Sequence, residues 1–161
     1  MALSNLDNLY RQVILDHSSH PHHHGHLENT NYDTTMFNPT CGDVLKIEVE
    51  VVDNKIKDIA FSGNGCTISQ ASASMMTDTV INKDVSDAIR IADTFINVIV
   101  HPGEYKGKDL SILEDAETLT GVAQFPARVK CATLAWKGLK KALLSNNGTG
   151  VVGQVVHHED D

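Results

Sequence analysis

Residues 44–66, VLKIEVEVVDNKIKDIAFSGNGC, decide the fold because they contain two strand patterns separated by a turn. From residue 44 to residue 51, apolar side chains alternate with lysine and glutamate, which is the period of a strand with one buried face. Residues 53–55, Asp-Asn-Lys, indicate a tight hairpin turn, and residues 56–61 supply the second strand. A glycine-rich loop then leads to Cys66. The sequence therefore predicts an antiparallel hairpin that ends at a cysteine.

The spacing of apolar residues on either side of this hairpin predicts helices. The predicted helices cover residues 4–16, 68–80, 85–100 and 126–144. Between the first helix and the hairpin, residues 17–39 are polar and rich in histidine, asparagine and threonine, so we expect a surface connection there. Strands followed by helices predict an α+β domain with a small antiparallel sheet and helices packed on one face.

The length and charge of the chain limit what it can be. Its 161 residues fit one compact domain, which we assign to residues 1–144, with residues 145–161 predicted to be a disordered acidic tail. With 21 acidic and 13 basic residues, it lacks the positive surface expected of a nucleic-acid-binding protein. The sequence has neither a long apolar run for a membrane nor a secretory signal, so we expect a cytoplasmic protein.

The three cysteines all lie at the ends of predicted elements. Cys41 precedes the first strand of the hairpin and Cys66 follows the second, so the two can be neighbours at one end of the ribbon. Asp43 lies two residues after Cys41 and can face the same side of an extended segment. Together with Cys131 these residues would complete a tetrahedral set suited to zinc, and a sulfur-rich set also suits an iron-sulfur cluster.

A simpler alternative is that each cysteine is a small buried apolar residue. None of the three belongs to a short C-x-x-C pair, so their spacing alone does not decide between a metal site and three core residues.

The segments that carry the cysteines, residues 38–43, 62–69 and 130–132, resemble the IscU/NifU-type iron-sulfur cluster assembly proteins, whose fold is similar to that of SufE. The resemblance covers residues 6–144. Scaffold members of that family carry Leu-Pro-Pro-Val-Lys followed by His-Cys, whereas this chain has Phe-Pro-Ala-Arg-Val-Lys-Cys at residues 125–131. Its connection between Cys66 and the last cysteine is also longer than in the scaffold proteins. Both departures are similar to the SufU branch.

Membership of the SufU branch implies a zinc-dependent sulfurtransferase. Its partners would be a PLP-dependent cysteine desulfurase of the SufS type and a downstream iron-sulfur scaffold. The resemblance implies that Cys41, Asp43, Cys66 and Cys131 hold zinc. It also implies that Cys41 accepts the persulfide sulfur after a histidine of the desulfurase has replaced it at the metal.

Arg128 lies one helical turn before Cys131, and the resemblance suggests that it steadies the freed thiolate or the persulfide. The alternative is a solvated surface arginine. Two other functions compete with sulfur transfer. One is a scaffold on which a [2Fe-2S] cluster is assembled and transferred, and the other is an interaction module with a purely structural zinc ion.

Six of the nine histidines lie between His17 and His26. Histidine-rich runs can bind metals. No acidic or thiol partner lies at a fixed offset in the sequence, which favours a solvated loop with incidental affinity. In members of the resembling family an Arg-Asn pair often follows the proline, where His22 and His23 stand in this chain.

Overall fold

The computed structural model describes residues 2–39, 42–105, 109–144 and 156–158. Within these residues the α-helices are α1 (Ala2–Ser19), α2 (Thr67–Val80), α3 (Val85–Val100) and α4 (Pro126–Leu144). The strands are β1 (Tyr32–Asn38), β2 (Asp43–Val52), β3 (Lys55–Asn64) and β4 (Val156–His158). Two 3₁₀ segments, Pro102–Tyr105 and Ser111–Gln124, connect α3 to α4, and the second is kinked at Glu114.

The strands form one sheet in the order β3-β2-β1-β4. The predicted hairpin is confirmed as β2 and β3, which are antiparallel. Their turn contains Asp53 and Asn54 at φ values of 54° and 65°, as a tight hairpin turn with two left-handed residues requires. Val44 pairs with Asn64, so the first residues of β2 lie beside the last residues of β3. This pairing brings the two ends of the hairpin to the same place.

The core lies between the sheet and the helices. Alternate β2 residues such as Leu45, Ile47 and Val49 are fully buried, as the apolar and polar alternation predicted. From the helical side, Trp136 of α4 is fully buried and stacks on Phe95 of α3 with ring centroids 4.3 Å apart. The predicted α+β class, with helices packed against a small sheet, is therefore confirmed.

Close contact between α4 and β1 depends on a glycine. A Cβ atom placed at Gly138 would lie 2.8 Å from Cγ of Met36 in β1 and 3.3 Å from Cγ1 of Ile47 in β2. The first distance is one that real Cβ atoms essentially never show, and the second is tighter than most real contacts. Because α4 carries Cys131, this contact also fixes the position of that cysteine relative to the sheet.

The interpretation of residues 17–39 as a surface connection was wrong at its end, because residues 32–38 form β1. Alternation of apolar residues does not predict this strand, because its buried positions include the polar residues Asp33 and Thr34. Just before it, the side chain of Asn31 continues the ladder. Its Nδ2 donates to the carbonyl of Val51 at 2.9 Å, and its Oδ1 accepts from the amide of Val51 at 2.8 Å.

The predicted disordered tail, residues 145–161, lies mostly outside the described residues. Its residues 156–158 form β4, which pairs in parallel with residues 35–37 of β1. The division into one domain and a tail stays a prediction. In the described part of the chain no helix combines the length and apolar character needed to span a membrane.

Candidate metal centre

Three of the four predicted ligands come together at one end of the sheet. Asp43 is the first residue of β2, Cys66 lies directly before α2, and Cys131 lies in the second turn of α4. One ligand atom from each lies within 4.8 Å of the other two. Cys41, the fourth predicted ligand, lies outside the described residues, and its following residue Gly42 has φ 74°. The three segments thus converge even though they are far apart in sequence.

Hydrogen bonds orient the carboxylate of Asp43, which is only 1% exposed. Its Oδ1 accepts the amide N–H of Cys66 at 3.0 Å. Its Oδ2 accepts the hydroxyl of Ser69 at 2.5 Å. A buried carboxylate is costly unless its charge is compensated, and these two donors supply part of that compensation. The sequence analysis did not identify Ser69 as part of the centre, although its position three residues after Cys66 on α2 was a usable signal.

The two described cysteines are held in different ways. Cys131 is fully buried, and Nδ2 of Asn38 lies 3.9 Å from its sulfur. The sulfur of Cys66 is half-buried and lies 3.4 Å from Oγ of Ser69 and 4.0 Å from Oδ2 of Asp43. Both thiols therefore face the same small volume as the carboxylate.

The pKa of Cys66 is lower than that of an ordinary thiol. Burial raises this pKa, and the Asp43 carboxylate adds to the rise. Hydrogen bonds from the hydroxyl and amide of Ser69 and from Cys131 outweigh both. The site thus makes the thiolate of Cys66 more accessible than that of an ordinary cysteine, and the thiolate is the form that binds metals and attacks sulfur.

The donor set fits zinc. Zinc takes thiolate and carboxylate ligands in tetrahedral sites, where neighbouring sulfur ligands are about 3.8 Å apart for Zn–S distances of about 2.3 Å. The separations among Asp43, Cys66 and Cys131, all within 4.8 Å, are close enough for small side-chain rotations to reach that geometry. Two soft sulfurs and one oxygen also fit an iron-sulfur cluster, so the donor atoms alone are compatible with either zinc or a cluster.

Arg128 occupies an exposed position in the first turn of α4, three residues before Cys131. Its amide N–H donates to the carbonyl of Phe125 at 2.8 Å, which helps to start the helix. The role predicted for its side chain is not tested by this placement and stays a prediction.

A groove runs beside the centre, between α1, the start of α2 and the second 3₁₀ segment. Its lining includes Tyr10 and Leu15 from α1, Thr67 and Ile68 next to Cys66, and Phe125. Leu15 is 41% exposed and Phe125 is 60% exposed. The groove therefore combines an exposed apolar surface with the two residues that directly follow Cys66.

The comparisons with known proteins agree with this fold and show the family. The family model of the NifU-like N terminal domain matches residues 9–144, and the chain belongs to this family. Two relatives with different names are similar over nearly the whole chain. The iron-sulfur cluster assembly scaffold protein IscU of Streptococcus pyogenes serotype M1 is 50% identical over 143 residues, covering 89% of this chain and 87% of the relative. The zinc-dependent sulfurtransferase SufU of Bacillus subtilis is 44% identical over 146 residues, covering 90% and 96%.

Solved structures give the same fold. A candidate iron-sulfur cluster assembly scaffold protein for the SUF system, from Fervidobacterium islandicum AW-1, has a TM-score of 0.75 and 33% identity, covering 82% of this chain and 94% of its own. A structure described as a hypothetical protein has a TM-score of 0.76 and 47% identity, covering 85% and 98%. The family is thus established, while its relatives carry two different functional names.

Proposed function

We propose that this protein is a zinc-dependent sulfurtransferase that accepts persulfide sulfur on Cys41 from a cysteine desulfurase and passes it on for iron-sulfur cluster assembly. One observation carries the proposal. Asp43, Cys66 and Cys131 offer two sulfurs and a carboxylate within 4.8 Å of one another, and Asp43 lies two residues after Cys41 in the sequence. The 44% identity to a relative named as a zinc-dependent sulfurtransferase supports this activity.

Zinc, when bound, keeps cysteine sulfurs in the thiolate form at neutral pH. The residues that would hold it are Cys41, Asp43, Cys66 and Cys131. Asp43 and Cys66 are suited to remain as ligands throughout the reaction, because the Ser69 hydroxyl and the Cys66 amide fix the carboxylate. Cys131 is suited to the same task, because it is fully buried.

By the family resemblance, Cys41 is the ligand that would leave the metal. The residue that follows it, Gly42, has a positive φ of 74°, and a Cβ placed there would meet nothing within 4 Å. Glycine adopts this left-handed conformation without strain, so a glycine suits the position directly after the proposed acceptor. The freed thiolate of Cys41 would attack the outer sulfur of the desulfurase persulfide. The S–S bond of that persulfide breaks, a new S–S bond forms on Cys41, and the desulfurase cysteine leaves as a thiolate.

The groove beside Cys66 supports a partner that inserts a polypeptide segment. Its apolar residues Leu15 and Phe125 are exposed, and Thr67 and Ile68 connect it to the centre. A desulfurase carries its persulfide on a cysteine that must come within bonding distance of the acceptor, so a docking surface next to the thiols is required. We infer that the PLP-dependent cysteine desulfurase docks here.

The second candidate function is a scaffold on which a [2Fe-2S] cluster is assembled. The 50% identity to a relative named as the scaffold protein IscU supports it, as does the sulfur-rich donor set. Against it stand Lys130, where scaffold proteins have a histidine before the last cysteine, and the absence of a Pro-Pro pair at residues 125–131. We therefore favour sulfur transfer.

Metal analysis combined with a desulfurase assay separates these functions. The protein is purified without oxygen, its zinc and iron are measured, and sulfide release by a cognate desulfurase is followed with and without it. We expect tightly held zinc, little iron and faster desulfurase turnover. Cys41→Ser should abolish the stimulation. Brown protein with two irons per chain would favour the scaffold, and zinc without stimulation would favour a structural module.

A further inference from the structure

A second group of possible ligands lies away from the cysteines. It consists of His17 at the end of α1, His22 in the following segment and Asp78 near the end of α2. One ligand atom from each lies within 4.8 Å of the other two. The acidic partner that the sequence did not reveal therefore comes from α2, far along the chain.

The imidazole of His17 is held on both sides. The side chain is 3% exposed, with Nδ1 2.8 Å from Oγ of Ser74 and Nε2 3.0 Å from Oδ2 of Asp115. When Nε2 carries the proton it donates to Asp115, and Nδ1 then accepts from the Ser74 hydroxyl, a hydrogen bond that a metal ion at Nδ1 would replace. A carboxylate that accepts from the far nitrogen is the usual partner of a metal-binding histidine, because it fixes the ring and strengthens the ligand.

His22 is positioned by the same serine. Its amide N–H donates to Oγ of Ser74 at 2.7 Å, and the rings of His17 and His22 are 4.6 Å apart between centroids. Its Nδ1 is in close contact with Oδ2 of Asp78. The other carboxylate oxygen of Asp78 lies 3.5 Å from Nδ1 of His23. Ser74 and Asp78, one helical turn apart on α2, thus hold the histidines in one place.

The charge balance of this cluster favours a cation. Asp78 and Asp115 bring two acidic side chains to these histidines, and an imidazole is uncharged unless it is protonated. Each histidine can share one proton with a carboxylate, but a divalent ion would neutralise both charges at once. Imidazole nitrogens and carboxylate oxygens are ligands for zinc and related transition metals.

We propose that His17, His22 and Asp78 form a second metal site, which binds a divalent transition-metal ion such as zinc. Three protein ligands leave the fourth position of a tetrahedral site to water. His22 is exposed, so the ion has access from solvent. The ion would pin the segment between α1 and β1 onto α2. That segment already bonds to β3, because the amide of Gly25 donates to the carbonyl of Phe61 at 2.8 Å.

The two sites bind separate ions. Cys66 and Asp78 lie at opposite ends of α2, and 12 residues of helix correspond to about 18 Å. Neither site therefore shares a ligand with the other. The second site stands on its own geometry, and it would bind a metal whether or not the cysteine centre transfers sulfur.

Zinc stoichiometry tests the proposal. The full chain is stripped with a chelator, dialysed against a slight excess of Zn²⁺ and analysed for metal. We expect two zinc ions per chain in the wild type and one in His22→Ala or Asp78→Asn. The matched control is His20→Ala, an exposed histidine of the same segment, which should keep two. A wild type with one ion, or equal losses from His20→Ala and His22→Ala, overturns the proposal.

Cobalt titration distinguishes this site from the cysteine centre in the same molecule. Cobalt bound by thiolates gives an intense sulfur-to-metal charge-transfer absorption, whereas a nitrogen and oxygen site gives only weak bands. His22→Ala should lose one equivalent of bound cobalt with the charge-transfer absorption unchanged. Loss of that absorption in the variant would mean that the histidines only support the cysteine centre, which contradicts a separate site.

Discussion

Replacing Ser69 by alanine removes the hydroxyl that orients the proposed zinc ligand Asp43. In the structure this hydroxyl donates to Oδ2 of Asp43 at 2.5 Å and lies 3.4 Å from the sulfur of Cys66. The Ser69→Ala variant leaves the carboxylate with the Cys66 amide at 3.0 Å and the more distant Cys66 thiol at 4.0 Å. It also removes the hydroxyl hydrogen bond that helps to lower the pKa of Cys66. Both effects weaken metal binding.

The expected magnitude follows from the loss of one buried, charge-assisted hydrogen bond. Removing the partner that orients a metal ligand usually lowers metal affinity about 10- to 100-fold, or about 1.4–2.8 kcal/mol. Because the pKa of Cys66 rises in the same variant, protons compete more strongly with the metal. We therefore expect the upper half of that range at neutral pH.

A chromophoric chelator that competes for zinc measures this change directly. The matched control is Thr67→Ala, which removes an exposed hydroxyl from the same turn of α2 and should leave the affinity unchanged. Urea unfolding of both metal-free variants checks that they fold. The reasoning is refuted if Ser69→Ala folds normally and binds zinc within twofold of the wild type.

Two further changes test the packing and the sheet. Gly138→Ala should destabilise the fold by about 1–2 kcal/mol in urea unfolding, because the new Cβ would lie 2.8 Å from Cγ of Met36. Gly121→Ala, where a Cβ meets nothing within 4 Å, should change stability by less than about 0.5 kcal/mol. Burial raises the pKa of Asp33, Glu48 opposite it in β2 adds to the rise, and a nearby lysine lowers it. A raised pKa means that ionisation of Asp33 costs stability at neutral pH. Asp33→Asn should therefore stabilise by about 0.2–1 kcal/mol there, and the gain should vanish below the carboxyl's ordinary pKa of 3.8. Equal stabilities of Gly138→Ala and Gly121→Ala would contradict the packing argument. A stabilisation by Asp33→Asn that is as large at acidic pH as at neutral pH would contradict the argument from its pKa.

The parts of the fold that could be predicted are those with a local pattern. The β2–β3 hairpin follows from strict alternation and a turn of two left-handed residues, and the helices follow from apolar spacing. β1 escaped because Asp33 and Thr34 are buried in it. Among the described residues, Oδ1 of Asp33 and Oγ1 of Thr34 are buried without a hydrogen-bond partner. No local pattern predicts such an arrangement, since the burial of these polar side chains depends on what packs on each face of the strand.

The residues of the candidate metal centre also differ in how far their positions could be predicted from the sequence. Proximity at the end of a hairpin follows from antiparallel pairing, so the position of Cys66 beside the start of β2 could be derived from the sequence. The position of Cys131 depends on how α4 packs, and only the family resemblance indicated it. The partners of the histidine cluster could not be predicted for the same reason. The carboxylates of Asp78 and Asp115 reach the histidines through tertiary packing and not through spacing along the chain.

Mapping of the persulfide tests the central claim most directly. The zinc-loaded protein is incubated with a cognate desulfurase and cysteine, trapped with an alkylating reagent and digested. Mass spectrometry then locates the added sulfur, while zinc is measured in the same sample. We expect the extra sulfur on the peptide that contains Cys41, with Cys66 and Cys131 unmodified and zinc retained. Added sulfur on Cys66 or Cys131, with Cys41 unchanged, would contradict the account.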